Sequence, residues 1–395
     1  SSLCLGPRPP SLAPPAAMPE GEAHPAGCAL DLGIPRVPIN SLSEDEFVQR
    51  FLLPNQPCVL TGAEAYFGPL LEAWPSFDAF LEDLGDYALS EAFLKQSCVP
   101  LSERPLRVRD FLAAQPQAYL KDWHLQAERE AAGQGPLGYA LPGFLGGEPL
   151  FDWLNCPGAA GAGGASEYRF VYAGRRGSGT ALHFDVLASY SWSCNIVGRK
   201  RWTFFHEASL PRLMQKNSVV DLSEVDPAVP KAELLQERGE IVFVPSRWAH
   251  CVENLEDCVS VNHNWLNAAS LGRVWSFLRA EWDAVRREME AWGIREEGGV
   301  GARLLRANSE LDFEGYAALL ARGRRLAEAA RPGAGPAGEG SFGSWTLEEV
   351  ARRELELEGW LAARRFGDQL SAHGEKGRAP GDCAANPRWG CRGMA

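Results

Sequence analysis

The chain has 395 residues, with 39 Lys and Arg against 51 Asp and Glu, a formal net charge of −12. Its 45% hydrophobic and 23% charged composition is that of a globular protein with a real core, not of a disordered or fibrous chain. The acidic balance excludes a general nucleic-acid binder, which needs a basic face, and no apolar run of membrane-spanning length occurs.

Residues 1–30 are rich in Pro, Ala and Gly without periodicity and are expected to be a disordered lead; they contain no basic-then-apolar pattern, so no secretory leader is expected. S-E-D-E-F-V-Q-R-F-L-L from Ser43 predicts a short helix capped by Ser43, ended by Pro54 and followed by a strand at Cys58. A mostly helical stretch then runs to about residue 115, and Y-L-K-D-W-H-L from Tyr119 predicts a strand. Residues 156–166 form a Gly/Ala-rich loop. Between 167 and 267, Y-R-F-V-Y-A, A-L-H-F-D-V-L, S-W-S-C-N-I-V, R-W-T-F-F, E-I-V-F-V and C-V-S-V-N-H-N-W-L predict short strands, the texture of a sandwich or barrel. From Leu271 the period changes. Leu271, Val274, Trp275, Leu278, Trp282, Val285, Met289 and Trp292 fall on one helical face. Further helices are expected over 312–330 and 346–366, and residues 371–395 read as a disordered tail. The ten cysteines form no C-x-x-C pair and are expected to be free thiols of a reducing, cytoplasmic compartment.

Chemistry concentrates in the β region. H-F-D puts His183 and Asp185 two apart, which on a strand aims both side chains at one face. One such pair is weak, and a lone His183 would be a satisfied strand histidine. G-E-I-V-F-V-P-S-R-W-A-H adds His250 on a second strand. Two imidazoles and one carboxylate are the facial triad of non-haem iron oxygenases, whereas a structural zinc would take four protein ligands. G-R-K-R-W carries Lys200 in an apolar strand, where a lysine is ordinarily a surface charge. Beside a metal triad, it is a cation for the far carboxylate of a keto-acid co-substrate, with the Thr180 hydroxyl as a second donor. Cys251 and His263 are expected to face away from the site, His206 to sit in a turn, and His124 to be a core or surface residue.

Together, H-F-D, G-R-K-R-W, G-E-I-V-F-V-P-S-R-W-A-H and S-V-N-H-N-W resemble the jumonji-C (JmjC) 2-oxoglutarate oxygenases over roughly residues 35–270. The resemblance implies a mainly β fold, a double-stranded β-helix of the cupin or jelly-roll kind with N-terminal and C-terminal helical elements. The expected layout is a core over 31–270 and a helical region over 271–370. It implies Fe(II) held by His183, Asp185 and His250, and 2-oxoglutarate held at its distal carboxylate by Lys200, Thr180 and Tyr119, with Asn264 near its iron-bound end. Y-L-K-D-W-H-L, Y-R-F-V-Y-A-G and V-N-H-N-W-L-N are similar to family members described as lysyl hydroxylases of a eukaryotic translation termination (release) factor. That factor is therefore the expected protein partner, with no nucleic acid or membrane contact, and self-association through the C-terminal helices is a further expectation. Histone lysine demethylation, a non-catalytic cupin scaffold and, less well matched to Lys200, a zinc hydrolase remain the alternatives.

Overall fold

The computed structural model describes residues 33–97, 106–115, 117–155, 168–215, 218–296, 298–330 and 341–374. The expected lead at 1–30, the Gly/Ala-rich loop at 156–166 and all but residues 371–374 of the expected tail lie outside them.

The chain opens with β1 (Arg36–Pro38) and α1 (Glu44–Phe47), which continues as a π turn to Leu52. Ser43 and Glu46 cap α1 reciprocally, as expected of S-x-x-E. Then come β2 (Cys58–Thr61), α2 (Glu64–Ala73), α3 (Phe77–Leu84), α4 (Glu91–Gln96), α5 (Val108–Ala114), β3 (Tyr119–Trp123) and α6 (Leu125–Ala131). The strand-rich part comprises β4 (Arg169–Gly174), β5 (Gly179–His183), β6 (Tyr190–Val197), β7 (Lys200–Phe205), α7 (Leu210–Leu213), β8 (Met214–Gln215) and β9 (Ser218–Val219). It ends with β10 (Ala232–Gln236), β11 (Ile241–Val244), β12 (Ala249–Asn254) and β13 (Cys258–Trp265). Four helices follow: α8 (Leu271–Ala291), α9 (Val300–Ser309), α10 (Phe313–Ala329) and α11 (Phe342–Gly374). The sequence patterns anticipate α8, α10 and α11 but not α9, β10 or the full length of β12.

Two sheets make the expected jelly roll. The larger runs β1-β2-β11-β6-β13-β4-β3 and the smaller β10-β7-β12-β5. Every pairing is antiparallel except β1 with β2. The outer face of the large sheet is mostly apolar, with Cys58, Leu60, Ile241, Phe243, Trp192, Cys194 and Ile196 buried against the helices. That one hydrophobic cluster runs from Val37 to Leu357 and takes in α8, α10 and α11. Trp153 lies so close to α10 that a Cβ on Gly323 would stand 2.2 Å from its ring, so only glycine allows this approach. The expected face of α8 is buried as far as Met289, but Trp292 is 72% exposed. It lies past the end of the helix, where the 3.6 period no longer fixes its direction.

The space between the sheets is divided. Val59, Val242, Val244, Trp202, Phe204, Ala232, Leu234, Trp248 and Val252 fill one part with apolar side chains. The inward positions of β6 and β13 are instead polar, and there the cavity opens. The four described cysteines, Cys58, Cys194, Cys251 and Cys258, are free thiols. Among the described residues, no helix is long and apolar enough to cross a membrane.

Candidate metal centre and co-substrate cavity

His250 pairs directly with His183 across β12 and β5, which brings the two imidazole centroids to 4.3 Å. Asp185 completes the group, and the candidate ligand atoms of the three residues lie within 4.8 Å of one another. The strand argument for His183 and Asp185 extends beyond the paired ladder. β5 ends at His183, and Asp185 stands in the connection to β6, just before a turn in which Leu187 and Ala188 take φ of 59° and 51°. Two successive non-glycine residues in the left-handed region are costly, and such strain is found where a site fixes its geometry. Asp185 itself keeps an extended backbone and Phe184 packs outward with Leu182, so the alternation carries on past the last ladder residue and the turn closes behind the carboxylate.

Each imidazole is already oriented. His183 Nδ1 lies 2.9 Å from the Ala181 carbonyl and His250 Nδ1 lies 3.0 Å from the Trp248 carbonyl. A carbonyl only accepts, so both Nδ1 atoms carry the proton and both Nε2 lone pairs remain for a metal. Burial, then the neighbouring His250, pushes the His183 pKa down to about 4, so the ring is neutral near pH 7. The Ser191 hydroxyl donates to Asp185 Oδ2 at 2.7 Å and leaves the other carboxylate oxygen available. Three nitrogen and oxygen donors on one side of an open cavity fit Fe(II), with positions to spare for a chelating co-substrate.

Thr180 also lines the cavity, although it lies an odd three positions before His183. A β-bulge explains this. Between the pairs His250 with His183 and Val252 with Thr180, β5 carries one residue more than β12. The extra residue resets the alternation, so Thr180 and His183 face the same way while Leu182 packs outward against Phe205 and Leu213. The Thr180 hydroxyl hydrogen-bonds to Tyr119, whose phenol is pushed up by burial and stays protonated.

Lys200 faces the same cavity from β7 and is 1% exposed. Its ammonium donates to Ser260 Oγ at 2.6 Å and meets no carboxylate among the described residues. Burial lowers its pKa to about 8. A buried cation without a counter-ion is costly, and an anionic group entering the cavity relieves it. Asn264 lines the cavity from β13, its amide donating to Ser189 Oγ at 3.0 Å. All seven residues singled out from the sequence thus converge on one cavity.

Sequence reasoning missed four others. Ser191 and Ser193 on β6 pair with Asn264 and Asn262 on β13, and Ser260 lies two residues further along. They form two polar rows on strands whose alternate residues, Trp192, Cys194, Val259 and Val261, belong to the core. The signal was present as period-two polarity within S-W-S-C-N and S-V-N-H-N. Ser193 Oγ is buried without a partner, a further vacancy for a ligand oxygen. Cys251 and His263 face away from the triad as expected. Cys251 packs with the Leu182 cluster, and His263 meets the Tyr139 hydroxyl at 2.7 Å on the other side of the sheet. His206 caps a turn, also as expected.

Gly174 supports this end of the cavity. A Cβ there would come within 2.5 Å of the Tyr119 ring and 2.3 Å of Ser178 Oγ. Gly174→Ala is expected to push Tyr119 off the co-substrate position and raise KM for 2-oxoglutarate about tenfold, with a smaller effect on kcat. An unchanged KM would show that Tyr119 does not touch the co-substrate.

Comparison with known proteins agrees with the geometry. Residues 170–265 match the JmjC domain, hydroxylase. The chain is 33% identical over 284 residues to the human 2-oxoglutarate and iron-dependent oxygenase JMJD4, the match covering 64% of this chain and 66% of that protein. It is 33% identical over 305 residues to the Arabidopsis thaliana arginine-specific demethylase JMJ20, covering 65% and 62%. Over 218 residues it is 36% identical to the Drosophila melanogaster JMJD4 homolog, covering 53% and 49%. The chain thus spans just under two thirds of the human relative's length and about half of the Drosophila one. The matched stretch contains six of the seven cavity residues by position, from Thr180 to Asn264, together with the bulge that orients them; Tyr119 lies before it but within the same wall, and with its jelly roll and its His-Asp-His triad the chain carries a JmjC domain.

Proposed function

We propose that this chain is an Fe(II)- and 2-oxoglutarate-dependent protein hydroxylase of the cytoplasm, acting on a lysyl residue of a translation release factor. The observation that carries the oxygenase reading is Lys200, a buried ammonium that pairs with no carboxylate among the described residues and faces the cavity that holds the triad. Bound Fe(II) would supply the oxygen chemistry that couples oxidation of the keto acid to hydroxylation of a substrate C–H bond. The chain's own residues do the rest. His183, Asp185 and His250 hold the metal. Lys200 pairs with the distal carboxylate of 2-oxoglutarate, and the Thr180 and Tyr119 hydroxyls donate to it. Asn264, with Asn262 and Ser193 beside it, supplies hydrogen bonds near the metal-bound end. Trp202 and Val252 close the wall between and keep water from the reacting groups.

The lysyl and release-factor parts rest on the resemblance of Y-L-K-D-W-H-L, Y-R-F-V-Y-A-G and V-N-H-N-W-L-N to hydroxylases of that substrate. The test is mass spectrometry of recombinant release factor incubated with the protein, Fe(II), ascorbate and 2-oxoglutarate. A gain of one oxygen on a single lysine is expected. Succinate without modification of the factor would reject this substrate but keep the oxygenase. A demethylase reading has one observation behind it, the similarity to proteins named arginine-specific demethylases. Release of formaldehyde from methylated arginine or lysine peptides would favour it. Self-association through the C-terminal helices is supported by the exposure of Trp292 and of Leu355 on α11, the latter 71% exposed. Sedimentation at two concentrations is expected to show a dimer, and a concentration-independent monomer would remove it.

A further inference from the structure

Beside the cavity stands a carboxylate that neither the metal nor the co-substrate uses. Asp122 belongs to β3, where the pairing with β4 slips between Leu120 and Trp123. The slip leaves Lys121 and Asp122 off the ladder, and Asp122 takes a left-handed φ of 58°. A non-glycine residue pays for that conformation, so the bulge is maintained by what surrounds it. One oxygen of Asp122 is tied to the cavity wall: the Tyr172 hydroxyl donates to Oδ1 at 2.6 Å, and Tyr172 lines the cavity, its ring edge-on to Tyr119 at 5.7 Å. The other oxygen is open. Its nearest cation, Lys121 Nζ, stands 3.7 Å away, beyond hydrogen-bond range, and the Asp122 side chain keeps 27% of its surface exposed. Both charges reach the site. Asp122 acts on the phenols of Tyr119 and Tyr172, and the Lys121 ammonium is felt at His183. A buried cation, Lys200, thus stands in the cavity wall, and a partly exposed carboxylate, Asp122, stands just behind the lining residue Tyr172.

We propose that Asp122 receives the ammonium of a substrate lysyl side chain and sets that chain over the metal triad. This rests on the hydroxylase reading above and names the residue that selects its substrate. An incoming cation is repelled by Lys200 and drawn to Asp122, so it enters in one orientation. Lys121 holds the position loosely until the substrate ammonium replaces it. Tyr172, fixed by the same carboxylate, forms the wall along which the side chain lies.

The test is calorimetry with the full chain, loaded with Zn(II) as a redox-inert stand-in and saturated with 2-oxoglutarate. The probes are Nα-acetyl-lysine methylamide and its norleucine counterpart, which differ only in the ammonium. The wild-type protein is expected to bind the lysine probe at least about tenfold more tightly than the norleucine probe. Asp122→Asn, which can still accept from Tyr172, is expected to abolish that preference. Lys121→Met removes the competing ammonium and is expected to tighten the lysine probe, an outcome that a poorly folded variant would not give. A wild-type protein without preference, an Asp122→Asn protein that retains it, or a Lys121→Met protein that fails to bind more tightly overturns the proposal. The measurement needs neither turnover nor release factor. A release factor that gains no oxygen leaves a measured lysine preference standing, and the converse also holds.

Discussion

Asp185→Ala is expected to abolish succinate formation from 2-oxoglutarate while the protein melts within a few degrees of wild type. The two halves of this expectation come from the position of Asp185. It lies past the end of β5, half-buried, and accepts a hydrogen bond from the hydroxyl of Ser191. No core side chain depends on it, so its loss belongs with substitutions that cost little stability. Its chemical loss is complete, because two neutral imidazoles alone hold a divalent ion weakly and without the facial arrangement. Ser191→Ala provides the graded control. It leaves all three ligands but frees the carboxylate to rotate, and should weaken metal binding by about 10–100-fold. Measurement of succinate by mass spectrometry and of metal content by titration checks both. Normal succinate from the Asp185→Ala protein would remove Asp185 from the ligand set.

Lys200→Met is expected to make the unliganded protein more stable and the enzyme inactive. Lys200 is charged at pH 7, almost wholly buried, and among the described residues balanced by the Ser260 hydroxyl alone. Its pKa falls from 10.5 to about 8 in the fold. The unfolded chain therefore holds this proton more tightly than the folded one. The resulting penalty is present in full below pH 8 and is relieved as pH rises through 10.5, and it amounts to about 3 kcal/mol. Methionine has a similar length and no charge, so it removes the penalty without a large cavity. The variant should melt several degrees higher than wild type at pH 7. Adding 2-oxoglutarate should raise the wild-type melting temperature and leave that of the variant unchanged. The same ionisation sets a pH dependence. Above pH 8 the empty site loses its proton and must regain it to bind a dicarboxylate, so KM for 2-oxoglutarate should rise about tenfold per pH unit. A Lys200→Met protein that melts lower, or that keeps the wild-type KM, would show that Lys200 is structural.

The ligands were legible in the sequence because H-F-D, G-R-K-R-W and P-S-R-W-A-H each join a chemically distinctive residue to a strand pattern. The means by which they meet were less legible. His183 and Asp185 share a face by alternation as read, but the strained turn at Leu187 and Ala188 that closes behind them left no mark in the sequence. Thr180 reaches the cavity only because β5 carries a bulge, and a single extra residue leaves no mark in A-L-H-F-D. Ser193 and Asn262 sit in runs whose apolar members dominate the pattern, so these runs read as plain core strands. Asp122 gave no signal, since its conformation depends on pairing with a strand some fifty residues away. Strand β10, A-E-L-L-Q, alternates over too few residues to be separated from a loop, and α9, V-G-A-R-L-L-R-A-N-S, is only 10 residues long and opens directly after a glycine pair.

The two polar rows on β6 and β13 carry a consequence for how this chain can change over time. Over Tyr190–Asn195 and Ser260–Trp265, up to the bulge beyond them, the strands present Ser or Asn to the cavity and Tyr, Trp, Cys, Val or His to the helices in alternation. A point substitution alters one face at one place. The gain or loss of a single residue within Tyr190–Val197 or Cys258–Trp265 would exchange the faces of everything beyond it, turning hydroxyls and amides into the core and indoles toward the metal. Related chains should therefore differ in length outside these two strands, while their length within them stays fixed.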